Sequence, residues 1–113
     1  MEIKTDDYQI WYDSASNTVF WKGILRLEGM KEYQPIMDLM LPIIDQASTL
    51  TLNLQSLEFL NSSGISMLSM IVLKIREKGN IQLTLQGSSA ILWQTKSLRN
   101  LQRLMPSLQL EIA

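Results

Sequence analysis

The stretch Leu54-Gln-Ser-Leu-Glu-Phe-Leu-Asn-Ser-Ser-Gly-Ile-Ser-Met-Leu-Ser69 decides the fold of this chain. An apolar run ends near Leu54, and a short loop is expected to carry Phe59 and Leu60 back under cover. The residues Asn61-Ser-Ser-Gly64 then open a long helical pattern, in which Asn and Ser side chains accept bonds from the free amides of the first turn. Such a helix start suits an anion, or a serine that becomes phosphorylated. The alternative is a capped helix with no further role.

The segments on either side predict alternating strands and helices. Residues 3–11 read as a first strand, 18–25 as its hairpin partner, and 49–54 as a strand that buries its leucines. The period changes to three and four after Gly29, which predicts a helix with Pro35 in its first turn and a kink or restart at Pro42. The central helix should run from Ser62 or Ser63 to Lys78, where Gly79 supplies a left-handed end.

The C-terminal part continues the pattern. Residues 81–85 alternate as a strand, residues 87–89 are expected to cap a third helix, Pro106 ends it, and residues 108–112 form a last strand. The order is therefore β-β-α-β-α-β-α-β. Because three strands show one apolar and one polar face, we expect an α/β (α+β) fold. It should be a single domain over residues 1–113, with a mixed sheet of about five strands and three helices on one face.

The composition excludes several classes of function. The chain has 113 residues, a net charge of −1, and neither cysteine nor histidine. Disulfides, thiolate chemistry and histidine-based metal or acid–base sites are therefore excluded, and we expect no metal and no cofactor. The N-terminus lacks an apolar signal region and no run approaches membrane-spanning length, so we expect a soluble cytoplasmic protein that binds no membrane.

The charges are unevenly distributed. Residues 1–45 hold eight acids against four bases, whereas from Lys74 onward six bases face two acids. Lys96, Arg99 and Arg103 recur at helical spacing and form one basic stripe. A solvated helix face explains the basic C-terminal third as a whole, and an acidic partner is the alternative. Because no aromatic residues are interleaved with the stripe, we do not expect nucleic-acid binding.

Few residues offer chemistry or a docking surface. Glu58 is the only acid near the Asn-Ser-Ser loop, and no base stands at a recognisable spacing from the serines. Met67 and Met70 are expected on the less buried side of the central helix, where they either pack or form an adaptable docking surface. The three tryptophans are expected in the core or at its rim.

The pattern Leu-Asn-Leu-x-x-Leu-x-Phe-Leu-Asn-Ser-Ser-Gly-Ile at residues 52–65 resembles the STAS domain family, the anti-sigma factor antagonists. Within that family the chain is especially similar to the small single-domain regulators of the Slr1659 superfamily. Further support comes from residues 29–36 and 93–106. The resemblance covers essentially the whole chain, and its strand and helix order agrees with the order read from the residues.

The resemblance implies a regulatory function. The family motif is Asp-Ser-[Ser/Thr]-Gly, and a partner serine kinase that doubles as an anti-sigma factor phosphorylates the first serine. Only the unphosphorylated form binds that partner, and a phosphatase resets the switch. By position, Ser62 is the implied phosphorylation site and Ser63 the alternative. The sequence departs from the family at Asn61, where Asp is common, and at Arg26, where the family carries an acidic residue in a segment that contributes to the partner surface.

These observations lead to three hypotheses. The first is a non-catalytic partner-switching module, a monomer or weak dimer, whose partner surface comprises Glu58, Asn61, Ser62, Ser63, Gly64, Met67, Met70 and Lys74. The second is a constitutive adaptor of the same fold that is never phosphorylated. The third is a small enzyme or ligand-binding domain that uses Glu58 and the two serines, which requires a pocket near Ser62.

Overall fold

The computed structural model describes residues 1–113 as one mixed sheet covered by three helices. The strands are β1 (Glu2–Lys4), β2 (Tyr8–Asp13), β3 (Thr18–Leu25), β4 (Thr49–Leu60), β5 (Gln82–Gly87) and β6 (Gln109–Ile112). The helices are α1 (Gly29–Gln46), α2 (Ser62–Lys78) and α3 (Gln94–Leu104). The predicted α/β fold is confirmed, with six strands rather than about five.

The six strands lie in the sheet in chain order. β1, β2 and β3 are antiparallel neighbours, whereas β3, β4, β5 and β6 are parallel. Each parallel pair is joined by one helix, and such crossovers are right-handed, which brings all three helices to the same face. The sheet therefore has a β-hairpin region at one edge and a helix-covered region at the other.

The core lies between the sheet and the helices. Leucines buried at alternate positions of β5 and of the first half of β4 face this core, and the residues between them are half-buried. The helix α2 contacts both α1 and α3 and is therefore the central helix of the layer. This arrangement brings the start of α2 to the middle of the edge where the parallel strands end.

The first predicted strand is in fact two strands. Its N-terminal part folds back at a turn in which the hydroxyl of Thr5 accepts bonds from the amides of Asp7 and Tyr8, at 3.2 and 3.1 Å. The Thr5 amide also donates to the Tyr8 carbonyl at 2.8 Å. A threonine and two aspartates favour such a local turn over a continuous strand. The turn cannot be recognised from the alternation of apolar residues in this stretch.

The prediction of a kink or restart in α1 at Pro42 is not met, because the helix is continuous from Gly29 to Gln46. Pro35 also lies in the second turn, not the first. Both prolines are exposed, so the carbonyls that lose an intrahelical donor face solvent.

Two boundaries near the sheet edge also differ from expectation. β4 runs on to Leu60, and Phe59 is 43% exposed and not under cover. Residues 88–93 form turns, so α3 begins at Gln94 and not directly after Gly87. The predicted end of α2 is confirmed, since Gly79 adopts a left-handed conformation with φ +81°.

Candidate functional site

The side chain of Asn61 fixes the start of α2. Its Oδ1 atom accepts from the Gly64 amide at 2.9 Å and from the Tyr33 hydroxyl at 2.7 Å. Its Nδ2 atom donates to the Leu27 carbonyl at 2.7 Å. Asn61 therefore caps α2 and ties it to α1 and to the loop before α1. A carboxylate could accept the first two bonds but has no proton for Leu27, which gives a structural reason for Asn where the STAS family carries Asp.

Gly64 allows the first turn of α2 to approach the core closely. A Cβ atom at this position would collide with Cδ1 of Leu60 and would lie 2.8 Å from the Tyr33 hydroxyl. The residue is buried, so the expectation that Gly64 contributes to a partner surface is corrected. Its contribution is to position the two serines that precede it.

Ser62 and Ser63 are the first two residues of α2. Their amides belong to the group that has no acceptor within a helix, and the helix dipole makes this end attractive to negative charge. Ser62 is exposed, whereas Ser63 is half-buried. Of the two hydroxyls, Ser62 is therefore the more accessible to a modifying enzyme.

An exposed strip runs along α2 from this end. It consists of Ser62, Ser66, Met70 and Leu73, all of which are exposed and lie within about one quadrant of the helix. Met70, at 40% exposure, belongs to it as expected. Ser66 and Leu73 were not among the predicted docking residues, although the same helical periodicity contains them.

Met67 does not belong to the exposed strip. It is fully buried, so the prediction that it lies on the less buried side of α2 is wrong. Because α2 packs against a helix on each flank, it buries a wider arc than a helix with one partner. Lys74 is half-buried and lines a cleft between α1 and α2, about three turns from Ser62.

The end of β4 adds an exposed aromatic residue beside the serines. Glu58 is exposed, as expected, and so is its neighbour Phe59. The guanidinium of Arg26 lies 5.3 Å from the centre of the Phe59 ring, a cation–π contact. Arg26, one of the two positions at which the sequence departs from the STAS pattern, is thus held against an apolar side chain three positions before Ser62.

The turn of residues 88–93 presents a second exposed apolar side chain, Leu92, whose side chain is fully exposed. The turn is held against β4 by Trp93, whose Nε1 atom donates to the Leu57 carbonyl at 3.0 Å. Phe59, Leu92 and their neighbours line a groove of about 560 Å³. The sequence assigned Leu92 to a helix, so its exposure was not anticipated.

Gln94 completes the attachment of this turn. It is fully buried and donates from Nε2 to the carbonyls of Leu54 and Leu57, at 2.6 and 3.0 Å. Its Oε1 atom accepts from the Ser88 amide at 2.7 Å. The pairing of β4 with β5 ends at Asn53, so these side-chain bonds replace the missing sheet partner of β4.

The geometry offers little for catalysis. Ser62 and Ser63 line none of the surface depressions, whereas Glu58 and Lys74 each line a different one. No three acidic side chains converge where a metal ion could be held. The pocket near Ser62 that the enzyme hypothesis requires is therefore not formed by the serines themselves.

The helices show no membrane-spanning segment: none is long and apolar enough to cross a bilayer.

No protein-family profile matches the chain. No curated protein matches its sequence either. Solved structures of SiaC from Pseudomonas aeruginosa do match its fold. Apo-SiaC aligns with a TM-score of 0.73 and 14% identity, covering 99% of this chain and 98% of that one. A chain in the crystal structure of the diguanylate cyclase SiaD in complex with its activator SiaC aligns with a TM-score of 0.72 and 16% identity, covering 99% and 97%. At this identity the likeness establishes the fold, which is shared over the full length of both chains.

Proposed function

We propose that this chain is a non-catalytic regulatory protein that binds a protein partner through the start and exposed strip of α2, and that phosphorylation of Ser62 releases the partner. The observation that carries the proposal is the placement of an exposed serine at the first position of a helix whose cap is fixed by three hydrogen bonds. The resemblance of residues 52–65 to the STAS motif supports the same assignment.

The physical chemistry favours an effect on the partner and not on the fold. A phosphate on Ser62 would carry nearly two negative charges at neutral pH. The free amides and dipole of α2 tolerate such a charge. A docked partner would instead have to bury it without a counter-charge, which is costly. Glu58, exposed at the end of β4, would add to the negative field.

The partner surface we propose is apolar at its centre. Met70 and Leu73 are exposed on α2, and Phe59 is exposed near the end of the strand that leads into Ser62. Exposed apolar side chains close to a regulated charge allow binding to be strong in one state and weak in the other. The polar rim of this surface consists of Glu58, Ser62 and Ser63. The helix start beneath it is held in position by Asn61 and Gly64.

Two resemblances support the class of partner that we propose. The STAS resemblance implies a serine kinase of the anti-sigma type, with a phosphatase that reverses its action. SiaC, whose fold this chain shares, is the activator of a diguanylate cyclase with which it forms a complex. A signalling enzyme is therefore the class of partner we propose, and control of such an enzyme is the output.

A second candidate is a constitutive adaptor with the same surface and no phosphorylation. It is favoured by Asn61, whose amide hydrogen is used by the Leu27 carbonyl and which therefore serves the fold where the STAS family carries an acid. Both candidates require the exposed strip of α2. They differ only in whether Ser62 is modified in cells.

The test compares Ser62→Asp and Ser62→Ala with the wild-type chain, using the partner captured on unphosphorylated protein and then purified. We expect Ser62→Ala to bind like wild type and Ser62→Asp to bind at least tenfold more weakly, because the interface would bury a charge. Met70→Asp should also weaken binding, whereas Leu41→Asp, a change at a similarly exposed residue on α1 (39%), should not. Equal binding by Ser62→Asp and the wild-type chain would contradict the phosphorylation switch and favour the constitutive adaptor.

A further inference from the structure

The exposed face of α3 and the turn before it form a second surface, which shares only the exposed end of β4 with the surface of the proposed function. Leu92, Lys96, Arg99 and Arg103 recur at spacings of four, three and four residues. All four are exposed. The spacing aligns the three bases along one side of α3, and Leu92 lies in the turn two residues before the helix begins.

The three bases carry uncompensated positive charge. The one ion pair of the molecule joins Lys78 to Asp45, on α2 and α1. The helix α3 contains no acidic residue. Arg99 and Arg103 line a shallow polar groove with Gln102 and Pro106. The stripe therefore presents three positive charges, none of which is held in an ion pair within the chain.

The apolar end of this surface is rigidly held. The Gln94 side chain fixes the Ser88 amide and two carbonyls of β4, and the Trp93 indole fixes the Leu57 carbonyl a second time. The exposed Leu92 therefore stands on a turn that is tied to β4 by hydrogen bonds. A turn whose backbone is already ordered binds a partner at a smaller entropy cost.

We propose that this surface, formed by the Leu92 groove and the basic stripe of α3, docks an acidic amphipathic segment of a protein partner. An apolar side chain of that segment would enter the groove between Phe59 and Leu92. Its carboxylates would follow Lys96, Arg99 and Arg103. The charge of the stripe selects an acidic segment, and the apolar groove selects an amphipathic one.

The same observations disfavour other polyanions. Phe59 and Leu92 offer apolar contact where a nucleic acid would place phosphates, and Glu58 lines the same groove with a like charge. The apolar part is a concave groove with one protruding leucine, whereas adsorption to a lipid surface is favoured by a broad apolar face. The proposal does not depend on Ser62, so it and the proposed function can fail separately.

The experiment measures binding of labelled synthetic peptides to the full-length protein by fluorescence anisotropy at several salt concentrations. One panel consists of amphipathic helical peptides with leucines on one face and glutamates beside them. A second replaces the glutamates by lysines, and a third keeps the glutamates but replaces the leucines by serines. Duplex DNA and phosphatidylserine vesicles are measured alongside.

We expect the acidic leucine peptides to bind at least tenfold more tightly than either of the other panels. Leu92→Ser should weaken this binding by about tenfold, since burial of one leucine side chain is at stake. Arg99→Glu combined with Arg103→Glu should weaken it further and reduce its salt dependence. Leu41→Ser and Lys31→Glu, which change exposed residues on α1, should leave it unchanged.

Three results would overturn the proposal. The first is the absence of binding by every acidic leucine peptide. The second is equal binding by the acidic serine peptides, DNA or vesicles, which would show charge attraction alone. The third is wild-type affinity in the Leu92→Ser variant.

Discussion

The side-chain amide of Asn61 donates to the backbone carbonyl of Leu27 at 2.7 Å, across the gap between α2 and the loop that precedes α1. This bond, with those from Tyr33 and Gly64, makes the start of α2 part of the core framework. The proposed phosphorylation site is therefore an accessible hydroxyl on a fixed support.

Replacement of Asn61 by alanine should lower the free energy of unfolding by about 2–4 kcal/mol, since three hydrogen bonds at about 0.5–1.5 kcal/mol each are lost with the cap. Asn61→Asp should cost less, because it keeps the two accepted bonds. Urea unfolding measures both, with Asn100→Ala on the exposed face of α3 as the control. Equal stability of Asn61→Ala and Asn100→Ala would contradict the framework role.

Gly64→Ala should destabilise the protein by about 1–3 kcal/mol, although alanine is the better helix former. The reason is the collision of the new Cβ with Leu60 and the Tyr33 hydroxyl. Ser66→Ala, an exposed change two residues later, should be neutral or slightly stabilising. A Gly64→Ala variant that is more stable than wild type in thermal unfolding would show that the first turn is not confined.

Gln94→Ala should cost about 2–4 kcal/mol, because it leaves the Ser88 amide and the Leu54 carbonyl without partners. It should also raise the hydrogen-exchange rate of the Ser88 amide by freeing the turn. Gln46→Ala, at an exposed residue near the end of α1, serves as the control. An unchanged exchange rate at Ser88 would mean that the turn is held by other contacts.

Alkaline pH should destabilise the protein through Tyr33. Burial, with a smaller effect from nearby Tyr8 and Glu32, raises the pKa of Tyr33 above its ordinary value of 10.0, despite an opposing backbone hydrogen bond from Leu27. The unfolded chain therefore ionises first, and stability that is complete below pH 10.0 falls as the pH rises toward the folded pKa. Unfolding measured across this range should show a shallower decline in Tyr33→Phe. An identical decline in both proteins would assign the effect to other groups.

Features of the fold that are set by residues close together in the sequence were predicted more accurately than features set by residues far apart. The helix α2 was predicted to within a residue because its cap, periodicity and terminal glycine are all local signals. The turn at Thr5 was missed because one polar turn inside an alternating run leaves the alternation intact. The late start of α3 was missed because Gln94 bonds to β4, about 40 positions away in the chain, which no local pattern reveals.

The candidate site was predicted in the same uneven way. Ser62 and Met70 follow from helix capping and periodicity, and both are exposed. The burial of Met67 depends on a helix at each flank of α2, and the exposure of Phe59 depends on how far β4 extends. The exposure of Leu92 depends on the turn that delays the start of α3 to Gln94.

The most direct test of the central claim is intact-mass and peptide mass spectrometry on the protein isolated from its own cells under several growth conditions. The account predicts a fraction of molecules that carry one phosphate, mapped to Ser62. An unmodified mass under every condition would contradict the phosphorylation switch, and the partner surface of α2 would then act constitutively.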